Sequence, residues 1–508
     1  MTRLVRFGVF VGLVLAGVAL EPAQPPTDDM RFYVPAAQSY AGWLSRAWSP
    51  PSWSRAAIDS AFSANHEHPP VAKYVMGLGW LVFHGIFGLD DLTACRLPII
   101  MLWAWTCLII FRWVLATAGP LAAWASVTCF VAMPRVLFDA HAETLDFTVT
   151  AFVTAAGWSF LQALDSPRKR TLAKTVALHA LALGSKLNAP FAVAGEVVYW
   201  LLRDRPKLRG LDLRLSPIPV ALLLVVLAAP VLAIALWPWM WFDTAARLGA
   251  YVRFHLNHYN ILFFFSGTLY DDQVAPWYAP ITMLLVTTPL VTLVLALVGA
   301  VKGASSPLKR FAGIQIAAQL VAVCLPGTPK YGGVKLFLPV FPYLAMFAGL
   351  GFATVARELA RPFARYALLA ACLLPSAIGV VAYRGYWLSY YNELIGGVRG
   401  ATRAGFERQY YDLGYPALRD ALKEHARDRA RVAVLPNPKE YAGYLRKWGF
   451  EPGPPETAEV VVLTHERRWP DYPDLQARWR RGGRLTTVKV GDVPVFSIYR
   501  GGLPERIH

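Results

Sequence analysis

The chain has 508 residues, of which 56% are hydrophobic and only 16% are charged, and its mean hydropathy is +0.38. Soluble domains carry about 25% charged residues. This composition therefore excludes a soluble protein and predicts a polytopic membrane protein. The net charge of +17 does not indicate nucleic-acid binding, because the basic residues form short clusters between apolar runs rather than one basic face. The five cysteines lie within or beside apolar segments, so they predict neither a metal site nor a disulfide framework.

The first apolar run, residues 4–20, follows Arg3 and Arg6 and is predicted to be an uncleaved first membrane span. A cleaved signal peptide begins in the same way, and the small residues between Ala16 and Ala23 offer a cleavage site, so this alternative stays open. The further runs that predict spans are 97–111, 119–134, 147–163, 172–184, 190–202, 217–237, 278–300, 311–326, 336–354 and 366–383.

Residues 71–89 form another apolar run, but it contains Lys73, His84 and several glycines. Basic loops stay in the cytoplasm. Only if this run does not cross do the strongest basic loops all fall on the same side as the N-terminus. We therefore predict that 71–89 lies along the outer membrane surface or dips into it, which leaves about eleven spans, a cytoplasmic N-terminus and an outer C-terminus. The basic loops that decide this are 168–174, 203–214, 302–310 and 357–365.

Two domains are predicted, a transmembrane module over residues 1–385 and an outer α/β domain over 386–508. The first outer loop of the module, 21–96, contains surface helices. The terminal domain is predicted to contain helices at 416–427, 438–448 and 471–481, strands at 431–435 and 459–463, and a hairpin at 485–489 and 493–498. The fold class is therefore a polytopic α-helical membrane protein with a small outer α/β domain.

Cations close to the outer ends of the predicted spans oppose the rule that positive charge stays inside. They comprise Arg135, Lys186, Arg247, Arg253, Lys330 and Lys335. Several cations at one depth suit an anionic head group such as a lipid phosphate. The alternative is that each side chain reaches out to phospholipid head groups without a specific role. For Lys186 we favour a function, because it lies between two short apolar segments.

Outer carboxylates form the second candidate set. Asp28 and Asp29 follow the first span, Glu143 and Asp146 precede residues 147–163, and Glu67 lies between two histidines. Carboxylates at a membrane surface serve as general bases or bind divalent cations. The histidines that could add nitrogen ligands are His141, His255 and His258. For Asp28 and Asp146, helix capping is the alternative.

Motifs for soluble substrates are absent from the sequence. No glycine-rich phosphate loop joins a strand to a helix, and no Asp-x-Asp triplet indicates a nucleotide-sugar with its metal. If the chain transfers sugars, the donor is expected to be carried by a lipid.

Five blocks in chain order resemble a known superfamily. They are Asp28–Tyr33, Glu67–Lys73, Pro134–Asp146, Tyr331–Pro339 and Tyr390–Leu394. The second block, with the sequence EHPPVAK, resembles the His-Pro-Pro motif of protein O-mannosyltransferases and the Lys-Pro motif of aminoarabinose transferases. Over about residues 1–410 the sequence thus resembles bacterial lipid-linked glycosyltransferases with the C-type fold, in which the surface helices after the first span do not cross the membrane.

This resemblance implies a polyprenyl-phosphate-linked sugar donor and catalysis on the outer side of a bacterial inner membrane. Asp28 matches the catalytic aspartate, and Asp146 matches the acidic residue of the second outer loop. Lys186 resembles a lysine that contacts the donor phosphate in aminoarabinose transferases. The usual Asp-Glu pair is Asp-Asp here, which leaves the role of Asp29 open.

The second block adds further candidates by the same resemblance. Glu67 and His258 match a metal-binding pair of the aminoarabinose transferases, so a divalent metal of unknown identity is implied. His68 and Lys73 belong to the same block and are further candidate site residues, as is Glu143 of the second outer loop.

The implied chemistry suits these residue types. An acceptor hydroxyl is a poor nucleophile, and Asp28 as general base would take its proton while the oxygen attacks the anomeric carbon of the sugar. A lipid phosphate leaves without protonation, and Lys186, Arg135, Lys335 or a metal would stabilise its growing charge. One direct displacement inverts the anomeric configuration. The sequence does not tell whether the acceptor is a lipid, a glycan or a protein.

A transporter or flippase of lipid-linked glycans is the alternative. Transporters typically show internal repeats and charges within broken helices at the middle of the membrane. In this sequence no repeat is visible and the charges cluster at the outer ends of the spans. Only the break between 172–184 and 190–202 favours a transporter.

Overall fold

A computed structural model of the chain describes residues 3–21, 26–203, 218–409, 411, 416–436, 438–465 and 483–501. The first half is helical. Its helices are α1 (Arg3–Leu20), α2 (Met30–Leu44), α3 (Arg55–Phe62), α4 (Val71–Gly79), α5 (Asp91–Val131), α6 (Pro134–Ala140), α7 (Asp146–Asp165), α8 (Lys169–Leu183), α9 (Ala189–Arg203), α10 (Val220–Ala235) and α11 (Thr244–Leu256).

The second half adds strands. After the hairpin β1 (Leu262–Phe265) and β2 (Thr268–Asp271) come α12 (Ala279–Thr287), α13 (Leu290–Lys302), α14 (Pro307–Cys324), α15 (Val340–Ala356), α16 (Pro362–Ala382), α17 (Gly397–Arg403), α18 (Pro416–His425), β3 (Arg431–Leu435), α19 (Pro438–Trp448), β4 (Glu451–Pro452), β5 (Val460–Thr464), β6 (Arg484–Val490) and β7 (Val493–Arg500).

Within the described ranges, three helices are long and apolar enough to cross a membrane: α5, α7 and α16. The bent pair α12 and α13 would form a fourth span. Shorter apolar helices cover Arg6–Leu20, Val220–Ala235 and Val340–Ala356. The structure thus supports a polytopic helical protein, and the number of about eleven spans stays a prediction.

The predicted surface segment 71–89 begins with α4 and continues as a π-helical turn, Trp80–His84. Together these two pieces are too short to meet the length of a span. The structure therefore agrees with a segment that does not cross, and its position along the outer surface stays a prediction.

The predicted spans 97–111 and 119–134 both lie in α5, which breaks at Gly119. Gly119 has φ 86° and ψ 176°, a conformation that favours glycine. Pro120 follows it, and a proline disfavours the helical conformation of the preceding residue. The break therefore falls at the predicted boundary between the two segments.

The span predicted over 278–300 is not one straight helix. The structure has two helices, α12 and α13, that meet at an angle of 112°. Pro289 lacks an N–H group and keeps Thr288 extended, with φ −86° and ψ 136°. The side-chain amide of Asn392 donates to the carbonyls of Leu285 and Thr288, both at 2.7 Å, so it satisfies two groups that the break leaves without helical partners.

Replacing Asn392 with Ala should lower the free energy of unfolding by about 2–4 kcal/mol, because two hydrogen bonds are lost and buried carbonyls stay unpaired. Unfolding in mixed detergent micelles measures this change. Asn257→Ala is the matched control, since the Asn257 amide donates to the carbonyl of Arg253 at an exposed helix end. Equal effects of the two substitutions would contradict a bracing role for Asn392.

The helical core lies around α15, which is buried along most of its length. At Gly299 of α13, an added Cβ would lie 2.0 Å from the carbonyl oxygen of Phe347. At Gly351 of α15 it would lie 1.9 Å from that of Leu295. Helices in membranes often pack through such small residues, because these allow close approach of the backbones.

The terminal part of the chain folds around a five-stranded mixed sheet in the order β4-β3-β5-β7-β6. Strand β3 is parallel to β4 and β5, whereas β7 is antiparallel to β5 and β6. The predicted strands and the hairpin agree with this sheet, and α18 and α19 fall at two of the predicted helices. The third, 471–481, lies outside the described residues. The boundary at residue 386 stays a prediction.

Candidate active site

A buried ion-pair network fixes the segment before Asp28. Arg96, near the start of α5, is 1% exposed. Its Nη1 lies 3.0 Å from Glu21 Oε1, and its Nε lies 2.7 Å from Glu143 Oε2. Glu143 Oε1 accepts a hydrogen bond from the backbone N–H of Thr27 at 2.6 Å. The network therefore ties the residue before Asp28 to the second loop, and the contacts of Glu143 are those of a positioning residue.

Asp29, whose role the sequence leaves open, takes part in a three-membered polar cluster. Its Oδ2 accepts a hydrogen bond from the Tyr411 hydroxyl at 2.8 Å and from Lys335 Nζ at 3.4 Å. Lys335 Nζ lies 3.2 Å from the Tyr411 oxygen and 5.2 Å from the centroid of the Tyr331 ring. Tyr411 was not among the sequence candidates, and nothing in the sequence around it indicates a site residue.

Lys186 lies in the turn between α8 and α9 and forms an ion pair with Asp146, the first residue of α7. The Asp146 side chain is 2% exposed and that of Lys186 is 14% exposed. The same turn is tied to the second sequence block, because the N–H of Val71 donates to the carbonyl of Gly184 at 2.8 Å. The structure thus brings together two candidates that the sequence only placed on the same predicted side.

Arg135 is buried at the start of α6. Its Nε donates to the carbonyl of Tyr390 at 3.1 Å, and its guanidinium carbon lies 4.7 Å from the centroid of the Tyr391 ring. A Cβ added to Gly333 would lie 2.6 Å from Arg135 Nη1, so glycine leaves the room that the guanidinium fills. Within the described ranges, the buried Nη2 has no hydrogen-bond partner. A buried donor without a partner is costly, and an anion entering the site would satisfy it.

Asp139 is a candidate that sequence reasoning missed. It lies on α6, is 3% exposed and interacts electrostatically with Asp146, Lys335, Lys186 and Arg135. Burial raises the pKa of Asp139 well above its usual range and repulsion from Asp146 adds to the rise, whereas the three cations act in the opposite direction. The available signal was a carboxylate in the short segment between the predicted spans 119–134 and 147–163.

Lys73 contacts the loop that carries Glu67 and the ring of Tyr40. Its ammonium donates to the carbonyls of Asn65 at 2.6 Å and His68 at 2.8 Å, and it lies 5.0 Å from the centroid of the Tyr40 ring. Burial lowers the pKa of Lys73 to about 7. These contacts fix the loop that carries Glu67, so Lys73 acts there as a positioning residue.

Glu67 and His258, the implied metal pair, have protein partners in the structure. Glu67 Oε1 accepts a hydrogen bond from Asn65 Nδ2 at 2.8 Å. The His258 ring stacks on that of Tyr331 with the centroids 6.1 Å apart. Both side chains interact electrostatically with His255.

His68 and His255 lie between these two residues and the lysines. Their ring centroids are 5.6 Å apart, and the buried Nδ1 of His68 has no hydrogen-bond partner among the residues the structure describes. Burial lowers the pKa of His68 well below its usual range and that of His255 to about 4. Neutral imidazoles suit a metal such as zinc.

Nitrogen and oxygen donors are thus near one another, but the described part of the chain contains no group of three or more His, Cys, Asp or Glu side chains placed to hold a metal ion. The residues do not fit a resident metal in this arrangement, and we assign no step to one.

The remaining outer cations have structural partners or lie elsewhere. Arg247 Nη1 lies 2.7 Å from Asp59 Oδ1, and Lys330 Nζ donates to the carbonyls of Leu325 and Thr328. Arg253 is exposed on α11. Of the six cations, Arg135, Lys186 and Lys335 are therefore those that act electrostatically on the buried Asp139.

A known protein family and two solved structures are similar to this chain. The family of dolichyl-phosphate-mannose-protein mannosyltransferases matches residues 67–237, a range that includes the second sequence block and Lys186. The comparison with curated proteins gives no match. The crystal structure of ArnT from Cupriavidus metallidurans bound to undecaprenyl phosphate aligns with a TM-score of 0.51 and 13% identity over 98% of each chain. ArnT in the apo state aligns with a TM-score of 0.52 and 14% identity over 97% of each chain.

The chain has the C-type glycosyltransferase fold. The resemblance drawn from the sequence blocks, to the superfamily of protein O-mannosyltransferases and aminoarabinose transferases, is confirmed. A C-type fold with apolar helices makes the chain an integral membrane protein. Identities this low establish the fold alone, so the roles of the individual site residues stay predictions.

Proposed function

We propose that the chain is an integral membrane glycosyltransferase that moves a sugar from a polyprenyl-phosphate donor to an acceptor hydroxyl on the outer side of a bacterial inner membrane. One observation carries this proposal: Lys186 pairs with the buried Asp146, Lys335 pairs with Asp29, next to Asp28, and both lysines act electrostatically on the buried Asp139, as does Arg135. A set of buried cations beside carboxylates suits an anionic leaving group together with a general base.

The cations act on the donor phosphate in this proposal. Lys335 and Lys186 each pair with a carboxylate, which a phosphate can replace. Arg135 offers the unpaired Nη2 described above. As the bond between the anomeric carbon and the phosphate oxygen breaks, negative charge grows on the phosphate, and cations fixed in a buried site stabilise that charge without reorganising.

Asp28 is the proposed general base. The superfamily resemblance gives it this role, and the network of Arg96 and Glu143 holds the preceding residue, Thr27. Asp29 Oδ2 accepts hydrogen bonds from Lys335 and Tyr411, and we assign it no proton transfer. The proton of the acceptor hydroxyl goes to Asp28, the acceptor oxygen bonds to the anomeric carbon, and the lipid phosphate leaves, so the anomeric configuration inverts.

The purified protein in liposomes, given a panel of radiolabelled polyprenyl-phosphate sugars and extracts that contain lipid, glycan and protein acceptors, tests this function. We expect label to move to one acceptor class with inverted anomeric configuration. A protein that moves lipid-linked sugar across the liposome membrane without forming a glycoside would support the transporter instead.

Lys186→Gln should lower kcat/KM for the donor by about 10²–10³-fold, the loss typical when one donor to a developing anion is removed. Arg253→Gln is the matched control, because it removes an exposed cation from the same predicted side. Since Lys186→Gln leaves the buried Asp146 without its partner, the double variant Lys186→Gln/Asp146→Asn shows whether lost folding explains the effect. A folded double variant with wild-type kcat/KM would exclude a donor-binding role for Lys186.

A further inference from the structure

A cavity lies far from the carboxylates of the candidate active site. It has a volume of about 460 Å³ and is lined by residues of α1, α5, α7 and α8. On α5, Arg112 lies sixteen positions after Arg96, a distance of about 24 Å at the helical rise of 1.5 Å per residue. On α7, Trp158 lies about 18 Å from Asp146 by the same rise. The cavity therefore lies toward the opposite end of these helices from the candidate active site.

One wall of this cavity is cationic and aromatic. Arg6, Arg112 and Lys174 line it, and none of the lining residues is acidic. The Arg112 guanidinium carbon lies 5.0 Å from the centroid of the Trp158 ring, and Lys174 Nζ lies 5.6 Å from the centroid of that ring. Two cations therefore lie next to one ring. They repel each other unless an anion binds between them.

The other walls are apolar. Phe10, Ile109 and Leu178 line the cavity, and Phe7 is 65% exposed at its edge. A ligand that fits both parts has an anionic head and an apolar tail. The cavity faces the predicted cytoplasmic leaflet, because Lys174 belongs to a basic loop that decides the predicted orientation. Anionic phospholipids of that leaflet attract clustered basic residues.

We propose that this cavity binds the phosphate head group of an anionic glycerophospholipid. Arg112 and Lys174 hold the phosphate above the Trp158 ring, and the acyl chains lie along the apolar wall between α1 and α5. This site is separate from the proposed active site and does not depend on the proposed function.

Native mass spectrometry of the full-length protein, released from detergent, tests the proposal by counting bound lipids. The probes are phosphatidylglycerol, phosphatidylcholine, undecaprenyl phosphate and inorganic phosphate. We expect phosphatidylglycerol to bind more tightly than phosphatidylcholine. Arg112→Gln/Lys174→Gln should weaken its binding roughly tenfold or more, since each basic residue near anionic lipid contributes about a fivefold factor.

The matched control is Lys169→Gln/Arg170→Gln, which removes two exposed cations from the first turn of α8 and leaves the cavity unchanged. The variant Arg112→Lys/Lys174→Arg keeps both charges and should keep the binding. Equal losses in the two Gln variants would overturn the proposal, because they would indicate diffuse attraction. Equal binding of phosphatidylcholine, a larger effect of Arg112→Gln/Lys174→Gln on undecaprenyl phosphate than on phosphatidylglycerol, or displacement of the lipid by inorganic phosphate would also overturn it.

Discussion

Replacing Asp28 with Asn should abolish sugar transfer in a protein that still folds and inserts. Asn has nearly the same shape as Asp but cannot accept the proton of the acceptor hydroxyl. General-base catalysis typically contributes about 10²–10⁴-fold, so kcat should fall by at least that range. The measurement is the initial rate of transfer in liposomes at saturating donor, with the thermal unfolding of the same preparation recorded beside it.

Two substitutions separate this effect from a general loss of charge. Asp271→Asn, at an exposed position of the β1–β2 hairpin, should leave the rate unchanged. Asp29→Asn removes the ion pair with Lys335 and should act mainly on donor binding, seen as a raised KM. If Asp28→Asn transferred sugar at the wild-type rate, the proposed base would be wrong. A normal rate in Asp28→Asn together with a lost rate in Asp29→Asn would move the role to Asp29.

Arg96→Met should have the largest effect on stability. The substitution leaves two buried carboxylates, Glu21 and Glu143, without their shared cation. Removing one partner from a buried ion pair costs about 3–5 kcal/mol. We expect a lower free energy of unfolding by about that amount, measured in mixed detergent micelles, and little folded protein at growth temperature.

The control for Arg96→Met is Arg46→Met, because Arg46 is exposed and its Nε donates to the carbonyl of Gly42. The triple variant Glu21→Gln/Arg96→Met/Glu143→Gln removes all three charges and should recover much of the lost stability, since no buried charge then lacks a partner. If Arg96→Met were as stable as Arg46→Met, the network would not anchor the loop that precedes Asp28.

The fold could be predicted from the sequence where one physical rule dominates. Hydropathy located most of the helices, and the charge of the loops indicated that residues 71–89 do not cross. The alternation of apolar residues located β3, β5 and the terminal hairpin. The bend within the span predicted over 278–300 was not predicted, because hydropathy does not register what Pro289 does to the backbone of Thr288. The boundary between 97–111 and 119–134 could be located, because Gly119 and Pro120, which break α5, are visible in the sequence.

The candidate site could be predicted only in part. Lys186 and Asp146 were both expected, but their ion pair joins α7 to a turn between two other helices, and only the fold shows it. Asp139 was not among the candidates, because two of the cations that act on it, Lys186 and Lys335, are distant in sequence. Tyr411 lies even further from Asp29 along the chain. For Glu67 and His258 the sequence predicts more than the structure shows. The two residues match a metal-binding motif, but the described residues contain no group of three or more His, Cys, Asp or Glu side chains placed to hold a metal ion.

The contact between Asp29 and Tyr411 has a consequence for the timing of biosynthesis. The two residues are 382 positions apart, so the ribosome makes the aspartate long before the tyrosine that binds it. At about 5–20 residues per second, roughly 20–80 s separate the two events. A nascent chain therefore carries its acidic pair through membrane insertion with Lys335 and Tyr411 still missing. The contacts of Asp29 are therefore incomplete until the last fifth of the chain has begun to emerge.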